Sequence, residues 1–300
     1  LSPSVGLVQC IGRSVGLETW LHSAHARAHK AGTDQLSLQE CSTRMADAAR
    51  LDDVEAKRSG ATSFQDAVRV QAGSHTAAAW AAVMASTRPL LHRVLEEGFA
   101  SPDIWFERRI ALSRSLAVSS VAGWLAGLGE RTPHNMLIDV SSGEVVHVHL
   151  QAILDQQAAH GRIPQLSGGV PLRLTRELVD ALGPTGVEGV FRSSCEHTLR
   201  LLQTEAVGKA LLTLLEAFAD DPLREWEAAS GLDGAGLRGG AKEMQARMDA
   251  EVALLQVQQK LAGTDEHTVV SVESRAQLLI QQATDEALLM GMPAEWQAWL

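Results

Sequence analysis

A chain of 300 residues, 45% of them hydrophobic, is long enough to bury a sizeable core in one or two domains. Its net charge of -10 leaves it without the basic footprint that a DNA or RNA binder presents. Three scattered cysteines, Cys10, Cys41 and Cys195, exclude a disulfide framework or a thiolate metal site and fit a reducing cytosolic or nuclear interior.

No basic-then-apolar signal segment opens the chain, and its first residue is Leu rather than Met, so a fragment or a partial gene model is expected. Val5 to Trp20 predicts a short extended piece and the start of a helix. His22, His25 and His29 fall at i, i+3 and i+7, a spacing that fits a solvated helix face better than a ligand set. Residues 31–76 turn polar and alanine-rich with weak apolar periodicity, which predicts a helical or partly disordered surface insertion. Leu90, Leu91, Val94 and Leu95 then form a helical stripe that Gly98 and Pro102 end.

The strongest helix signal runs from Trp105 to Leu128, with Val118, Val121, Ala122, Leu125 and Leu128 predicted to make its apolar face. Its most apolar part, Leu116 to Leu128, contains two serines and falls short of the roughly 18 apolar residues that a membrane span needs. Next, Met136–Asp139 and Val145–Leu150 flank a Ser141-Ser142-Gly143 turn and predict a hairpin. Helices are expected again at 174–182, 198–219 and 241–261, with a Gly-rich break at 231–240 that lacks the Lys-Ser/Thr ending of a phosphate loop and reads as a linker. Val272, Ala276, Leu279, Ile280 and Ala283 give the last unit a helical face. Trp296 and Trp299 follow, suited either to a membrane-touching tip or, as expected here, to packing on the rest of the chain.

A helix, a tight loop carrying an acid and an amide, and a hairpin carrying a metal-binding acid form the catalytic half of a kinase. Phosphoryl transfer needs a carboxylate near the attacking hydroxyl, and an amide with a second carboxylate to hold Mg²⁺. The relevant runs are Gly127-Leu128-Gly129-Glu130-Arg131-Thr132-Pro133-His134-Asn135 and Val146-His147-Val148-His149-Leu150-Gln151. The first is similar to the G-L-G-D-R-H-x-x-N loop of the phosphatidylinositol 3-kinase-related kinases, and the second to their H-[IV]-D-F-x motif. Val170-Pro171-Leu172-Arg173-Leu174-Thr175-Arg176 resembles V-P-F-R-L-T, where the family's activation loop ends. Residues 183–192, Cys195-Glu196, Asp221-Pro222-Leu223 and Glu225-Trp226 continue in register, and 271–286 resembles the closing FATC tail. The resemblance spans residues 1–21, 88–228 and 268–300. Gly183-Pro184, Val148 and residues 283–289 lean toward the ATR branch, with ATM the close competitor through residues 185–192.

The resemblance implies a mostly α fold with a small β-hairpin, a protein-kinase-like (PI3/4-kinase-type) C-lobe followed by a helical FATC domain, and no N-lobe. Expected segments are 1–30 (hinge and start of the C-lobe), 31–87 (variable insertion), 88–229 (C-lobe with catalytic and activation loops), 230–267 (linker with helix) and 268–300 (FATC). It places Glu130, Arg131 and Thr132 at catalytic positions, Asn135 and His149 at metal positions, and Gln151, Pro171, Arg173 and Thr175 on the activation loop. The implied activity is ATP- and Mg-dependent serine/threonine phosphorylation in DNA-damage signalling in the nucleus. Implied partners are an ATR-interacting protein, checkpoint activators and protein substrates, with no direct nucleic acid and no membrane.

Departures from the family pattern predict loss of that activity. Glu130 replaces an aspartate, and its extra methylene moves the carboxylate by about 1.5 Å, a displacement that can cost on the order of 10²-fold in rate. Thr132 replaces a histidine, and His149 replaces the metal-binding aspartate although Mg²⁺ prefers hard oxygen ligands. Two rescues are weighed against this: a substitute Zn²⁺ site from His134, His147 and His149, and Mg²⁺ held by Asp139. The alternatives to a kinase segment are a noncatalytic pseudokinase scaffold of the same family and a nonfunctional gene fragment.

Overall fold

The structure is a computed structural model that describes residues 11–58, 73–128, 131–150, 153–154, 170–219, 251–265, 268–292 and 296–300. Glu130, Gln151, the Asp221-Pro222-Leu223 and Glu225-Trp226 motifs and the 231–240 linker lie outside these residues.

The described chain is mostly helical. Strand β1 (Ser14–Gly16) runs directly into helix α1 (Leu17–Lys30). Helices α2 (Leu38–Arg58) and α3 (Ser74–Ser86) pack on one another as a pair. Then come α4 (Leu91–Gly98) and the long α5 (Pro102–Leu125), which leads through a 3₁₀ turn (Pro133–Asn135) to the hairpin β2 (Met136–Asp139) and β3 (Val145–His147). Helices α6 (Arg176–Ala181), α7 (Val190–Leu202) and α8 (Glu205–Ala219) follow. A helical stretch α9 (residues 251–261), the short ladder β4 (Thr264–Asp265) and β5 (Thr268–Val269), α10 (Val272–Thr284) and α11 (Glu286–Met290) complete the order.

The hairpin is predicted by the sequence, as is a short extended piece ahead of the first helix, but the pairing of that piece with the hairpin as a third strand is not. β1 pairs antiparallel with β2, Ser14 opposite Asp139 and Gly16 opposite Leu137, giving a sheet ordered β1-β2-β3. Three residues that run straight into a helix are too few to show a period-2 pattern. Gly143 turns the hairpin at φ 77, and a Cβ there would lie 2.8 Å from the Arg108 carbonyl oxygen on α5. The Val145 N–H donates to the Ser115 hydroxyl at 2.8 Å, tying the sheet to the same helix.

Helix α5 is rotated relative to expectation. Its buried positions are Leu112, Ser113, Leu116, Ala117, Ser120, Val121, Trp124 and Leu125, whereas Val118 is 47% exposed and Ala122 is also exposed. The buried face is two adjacent i, i+4 rows, each containing a serine, so an apolar count finds Val121 and Leu125 but turns the rest of the face toward Val118 and Ala122. Ser113 satisfies its hydroxyl on the Arg109 carbonyl at 2.9 Å, which removes the cost of burying it. α5 packs along α7 with this face and under β3 with its flank.

Two other expectations hold only in part. The insertion contains a core-forming helix, because Cys41, Met45 and Ala48 on α2 are buried at i, i+4 and i+7. The predicted helix at 198–219 is two helices, the first beginning at Val190, with a break between Leu202 and Glu205. In contrast, the last unit largely matches its prediction: Ala276, Leu279, Ile280 and Ala283 of α10 are buried, Val272 is half-buried, and Trp296 and Trp299 pack inward. No helix among the described residues is long and apolar enough to cross a membrane.

Candidate functional site

Helix α5 delivers the chain to the loop of the candidate site through a glycine cap. Gly127 adopts φ 65, the Leu128 N–H reaches back to the Gly123 carbonyl at 2.8 Å, and the Gly127 N–H reaches the Trp124 carbonyl at 3.3 Å. Beyond the two residues that follow, Arg131 is buried and inward-facing. Its Nη1 and Nη2 donate to the Val148 carbonyl, each at 3.1 Å, and Nη2 to the His149 carbonyl at 3.2 Å. Asn135 is buried next to the same strand exit, accepting the Val148 N–H at 3.0 Å on its carbonyl while its own N–H bonds the Thr132 carbonyl at 3.1 Å. The structure therefore brings Arg131, Thr132, Asn135 and His149 to one place.

β3 ends at His147, three residues short of the expected Val145–Leu150 alternation, because His149 takes a left-handed backbone at φ 59. Arg131 holds the two carbonyls that flank this turn, which stabilises a conformation unusual for a side chain with a Cβ. The His149 ring is exposed, 6.4 Å from the ring of His134 and tilted 46° to it.

This donor set does not fit Mg²⁺. The position where the family resemblance expects a carboxylate carries an imidazole, a neutral nitrogen ligand for a cation that prefers hard oxygen. Asp139 does not compensate: its Oδ1 already accepts from the Ser141 N–H at 2.6 Å, the Ser141 hydroxyl at 2.5 Å and the Ser142 N–H at 3.1 Å, at the opposite end of β2. Those serine bonds hold its pKa below the ordinary carboxylate value. The three histidines do not form a Zn²⁺ site either. His134 Nδ1 lies 3.3 Å from Glu18, and the buried Nε2 of His147 meets no partner. Burial, with Arg131 nearby, pushes the His147 imidazole down to about 4, so it is neutral at neutral pH. Among the described residues the one grouping spaced for a cation is Asp52, Glu55 and His75. Its groups have other partners: Asp52 caps α3 by accepting from the His75 N–H at 3.1 Å and the Thr76 N–H at 2.9 Å, and His75 pairs with Glu55 at 3.0 Å.

Pro171, Arg173 and Thr175, expected on the activation loop, are built into the structure rather than exposed. Arg173 is 2% exposed, and its guanidinium donates to the Trp296 carbonyl at 2.6 Å, the Gln297 carbonyl at 3.1 Å, the Leu300 carbonyl at 2.7 Å and the Arg131 carbonyl at 3.4 Å. It also stacks 4.6 Å from the Trp296 ring centroid. Burial lowers its pKa to about 9, which leaves it cationic at neutral pH. Arg176 repeats the pattern on the Trp299 carbonyl at 3.0 Å and the Thr87 carbonyl at 3.1 Å. Pro171 is half-buried, and Thr175 is fully buried ahead of α6.

Two buried groupings near the site escape the sequence patterns. His25 lies between Asp34 (Nδ1, 2.8 Å) and Glu177 (Nε2, 2.8 Å), and Glu177 also accepts the Leu90 N–H at 2.8 Å and the Leu91 N–H at 3.0 Å. The expected solvated face at 22–29 holds only for His22 and His29. Lys260, also buried, reaches the end of α5 from α9. A charged residue inside an apolar run, as Arg173 is within Val170–Leu174, was the signal available for the tail contact; His25 carries no such mark.

A family model described as phosphatidylinositol 3- and 4-kinase matches residues 1–228. The chain is similar to the serine/threonine-protein kinase ATM of Arabidopsis thaliana, 39% identical over 229 residues that cover 73% of this chain and 6% of that protein. It is also similar to the serine/threonine-protein kinase tel1 of Emericella nidulans, 32% identical over 314 residues that cover 100% of this chain and 10% of that protein. Among solved structures, the FAT and kinase domain of CtTel1 superposes with a TM-score of 0.69 at 28% identity, covering 97% of this chain and 18% of that one. The chain thus spans a small fraction of the length of these relatives.

Proposed function

This chain belongs to the phosphatidylinositol 3- and 4-kinase family, and we propose that it is the catalytic-lobe segment of an ATM/Tel1-type checkpoint kinase whose phosphoryl-transfer chemistry has been lost. The sequence motifs lean toward ATR, but the names of the similar proteins reported above, ATM and Tel1, favour the branch that those motifs rank second. The observation that carries the loss of chemistry is His149: an exposed imidazole on the turn that Arg131 holds, where the family places a metal-binding carboxylate. Asn135 beside it supplies an amide and no charge, and Thr132 offers no histidine. ATP and Mg²⁺ are the family's cofactors, and in this proposal the described residues include no site that would retain the metal.

Nuclear localisation and contact with checkpoint activators belong to the same proposal, and an ATR-interacting protein belongs to its ATR alternative. A noncatalytic scaffold role follows from a fold that keeps its core while its metal position is altered.

The test measures thermal stability of the native protein with ATP, with and without Mg²⁺, beside a variant carrying Glu130→Asp, Thr132→His and His149→Asp. Ligand binding to the folded state raises stability by mass action. The native protein is expected to show no Mg²⁺-dependent shift, and the triple variant to gain one. A Mg²⁺-dependent shift or transfer of phosphate to a protein substrate by the unaltered chain overturns the loss.

A further inference from the structure

The end of α5 has an unusual cap. Trp124 is the penultimate residue of the helix, and its carbonyl accepts the Gly127 N–H at 3.3 Å from the glycine cap. The same carbonyl accepts a second donor from 136 residues further along the chain: Nζ of Lys260, at 2.8 Å. Lys260 is only 9% exposed, and its ammonium also lies 5.0 Å from the centroid of the Trp124 ring. Arg275 on α10 places its Cζ 5.8 Å from the same ring. A cation is favourable at a helix C-terminus because it meets the partial negative charge of the last carbonyls, and burial strengthens that attraction. Burial of two cations on one indole is otherwise unfavourable. Burial, with Arg275 nearby, lowers the Lys260 pKa to about 8, so the group remains charged at neutral pH. The ring and the carbonyl of Trp124 compensate for that burial together.

Three residues separate this capped carbonyl from Leu128, after which the loop with Arg131, Thr132 and Asn135 begins. Two residues beyond Trp124, the carbonyl of Ala126 accepts the Leu154 N–H at 3.1 Å from the segment after the metal-position strand. The turn capped by Lys260 therefore sits where the two strands of backbone that carry the site residues leave the core.

We propose that Lys260 is a positioning residue for the catalytic-loop segment: its ammonium completes the C-cap of α5 and fixes the exit of the chain toward Arg131 and Asn135. In this role α9 is part of the loop's support rather than a linker. The inference rests on residues 127–135 being the kinase-type loop, but its test needs no activity, so loss of phosphoryl transfer and failure of the cap give different results.

The experiment is amide hydrogen exchange on the full chain, comparing the unaltered protein with Lys260→Met and Lys260→Arg. Methionine keeps length and apolar contact but cannot donate; arginine keeps the charge and the donors. Loss of one cap is a local opening, so protection of the Gly127, Leu128 and Leu154 amides in K260M is expected to fall by about tenfold while that of α10 is unchanged. K260R is expected to retain protection. Unchanged protection in K260M overturns the proposal, as does an equal loss in K260R. If K260M does not fold, Lys260→Gln, a shorter neutral donor, is measured instead; a selective loss at 127–128 supports the cap, and a uniform loss across the chain assigns Lys260 to general packing and overturns it.

Discussion

Both nitrogens of the buried His25 ring end on carboxylates, and this arrangement ties the protonation of one side chain to three helices. Burial alone opposes a charged imidazole, but the bonds and charges of Glu177 and Asp34 outweigh it, so the pKa is raised above its ordinary value. The stabilisation is fully present below the unfolded pKa of about 6.5 and is lost as pH rises through the higher folded value. His147 has the opposite sign. Its folded pKa of about 4 lies below the unfolded one, so its contribution is present above about 6.5 and lost as pH falls toward 4. Removing one partner of a buried ion pair costs about 3–5 kcal/mol, because the other charge stays behind. Glu177→Gln is therefore expected to lose a few kcal/mol at pH 6 by urea denaturation, and to flatten the decline of stability on the alkaline side. An unchanged alkaline slope in that variant would show that His25 is not the titrating group. Sequence spacing gave no access to this pair: the three histidines at 22, 25 and 29 look alike, and only contacts with Glu177, 152 residues away, separate His25 from the others.

Helices are where periodicity was most informative and where it misled. α10 was legible because its buried face is apolar at every turn except Arg275. The face of α5 was not, because Ser113 and Ser120 occupy buried positions while Val118 lies outside. The two valines, three residues apart, make a direct comparison. Val121→Ala removes buried methyl groups from a site that is 0% exposed and should cost about 2 kcal/mol, as large-to-small core changes do. Val118→Lys, at 47% exposure, should stay within about 0.5 kcal/mol of the unaltered protein. The reverse order in chemical denaturation would place the core on the Val118 side of the helix. α2 teaches the same point. Its core contact is made by Cys41, Met45 and Ala48, three small or flexible side chains scattered among charges, a pattern too weak to distinguish from a solvated helix.

At the scale of the molecule, the candidate site was legible as an ordered set of motifs, and Arg131, Thr132, Asn135 and His149 do converge. What holds them in place was not legible, because the partners are backbone carbonyls and carry no sequence identity. Arg173 bridges the loop carbonyl of Arg131 and the carbonyls of Trp296, Gln297 and Leu300. Arg173→Met keeps apolar bulk but leaves those carbonyls buried without donors, and each such loss costs about 1–3 kcal/mol. The variant should speed amide hydrogen exchange across residues 296–300 and lower the melting temperature by several degrees. A tail that stays protected in Arg173→Met would place the docking energy in Trp296 and Trp299 alone.

The same contact has a consequence for the order in which the protein is made. Arg173 meets its Leu300 partner across 127 residues of sequence. During synthesis, at about 5–20 residues per second, the arginine emerges well before the carbonyls that will receive it. For that interval a guanidinium destined for the interior must remain hydrated, which keeps the surrounding lobe open. The nascent chain is thus expected to gain protease resistance late and abruptly, when residues 296–300 clear the ribosome, rather than helix by helix.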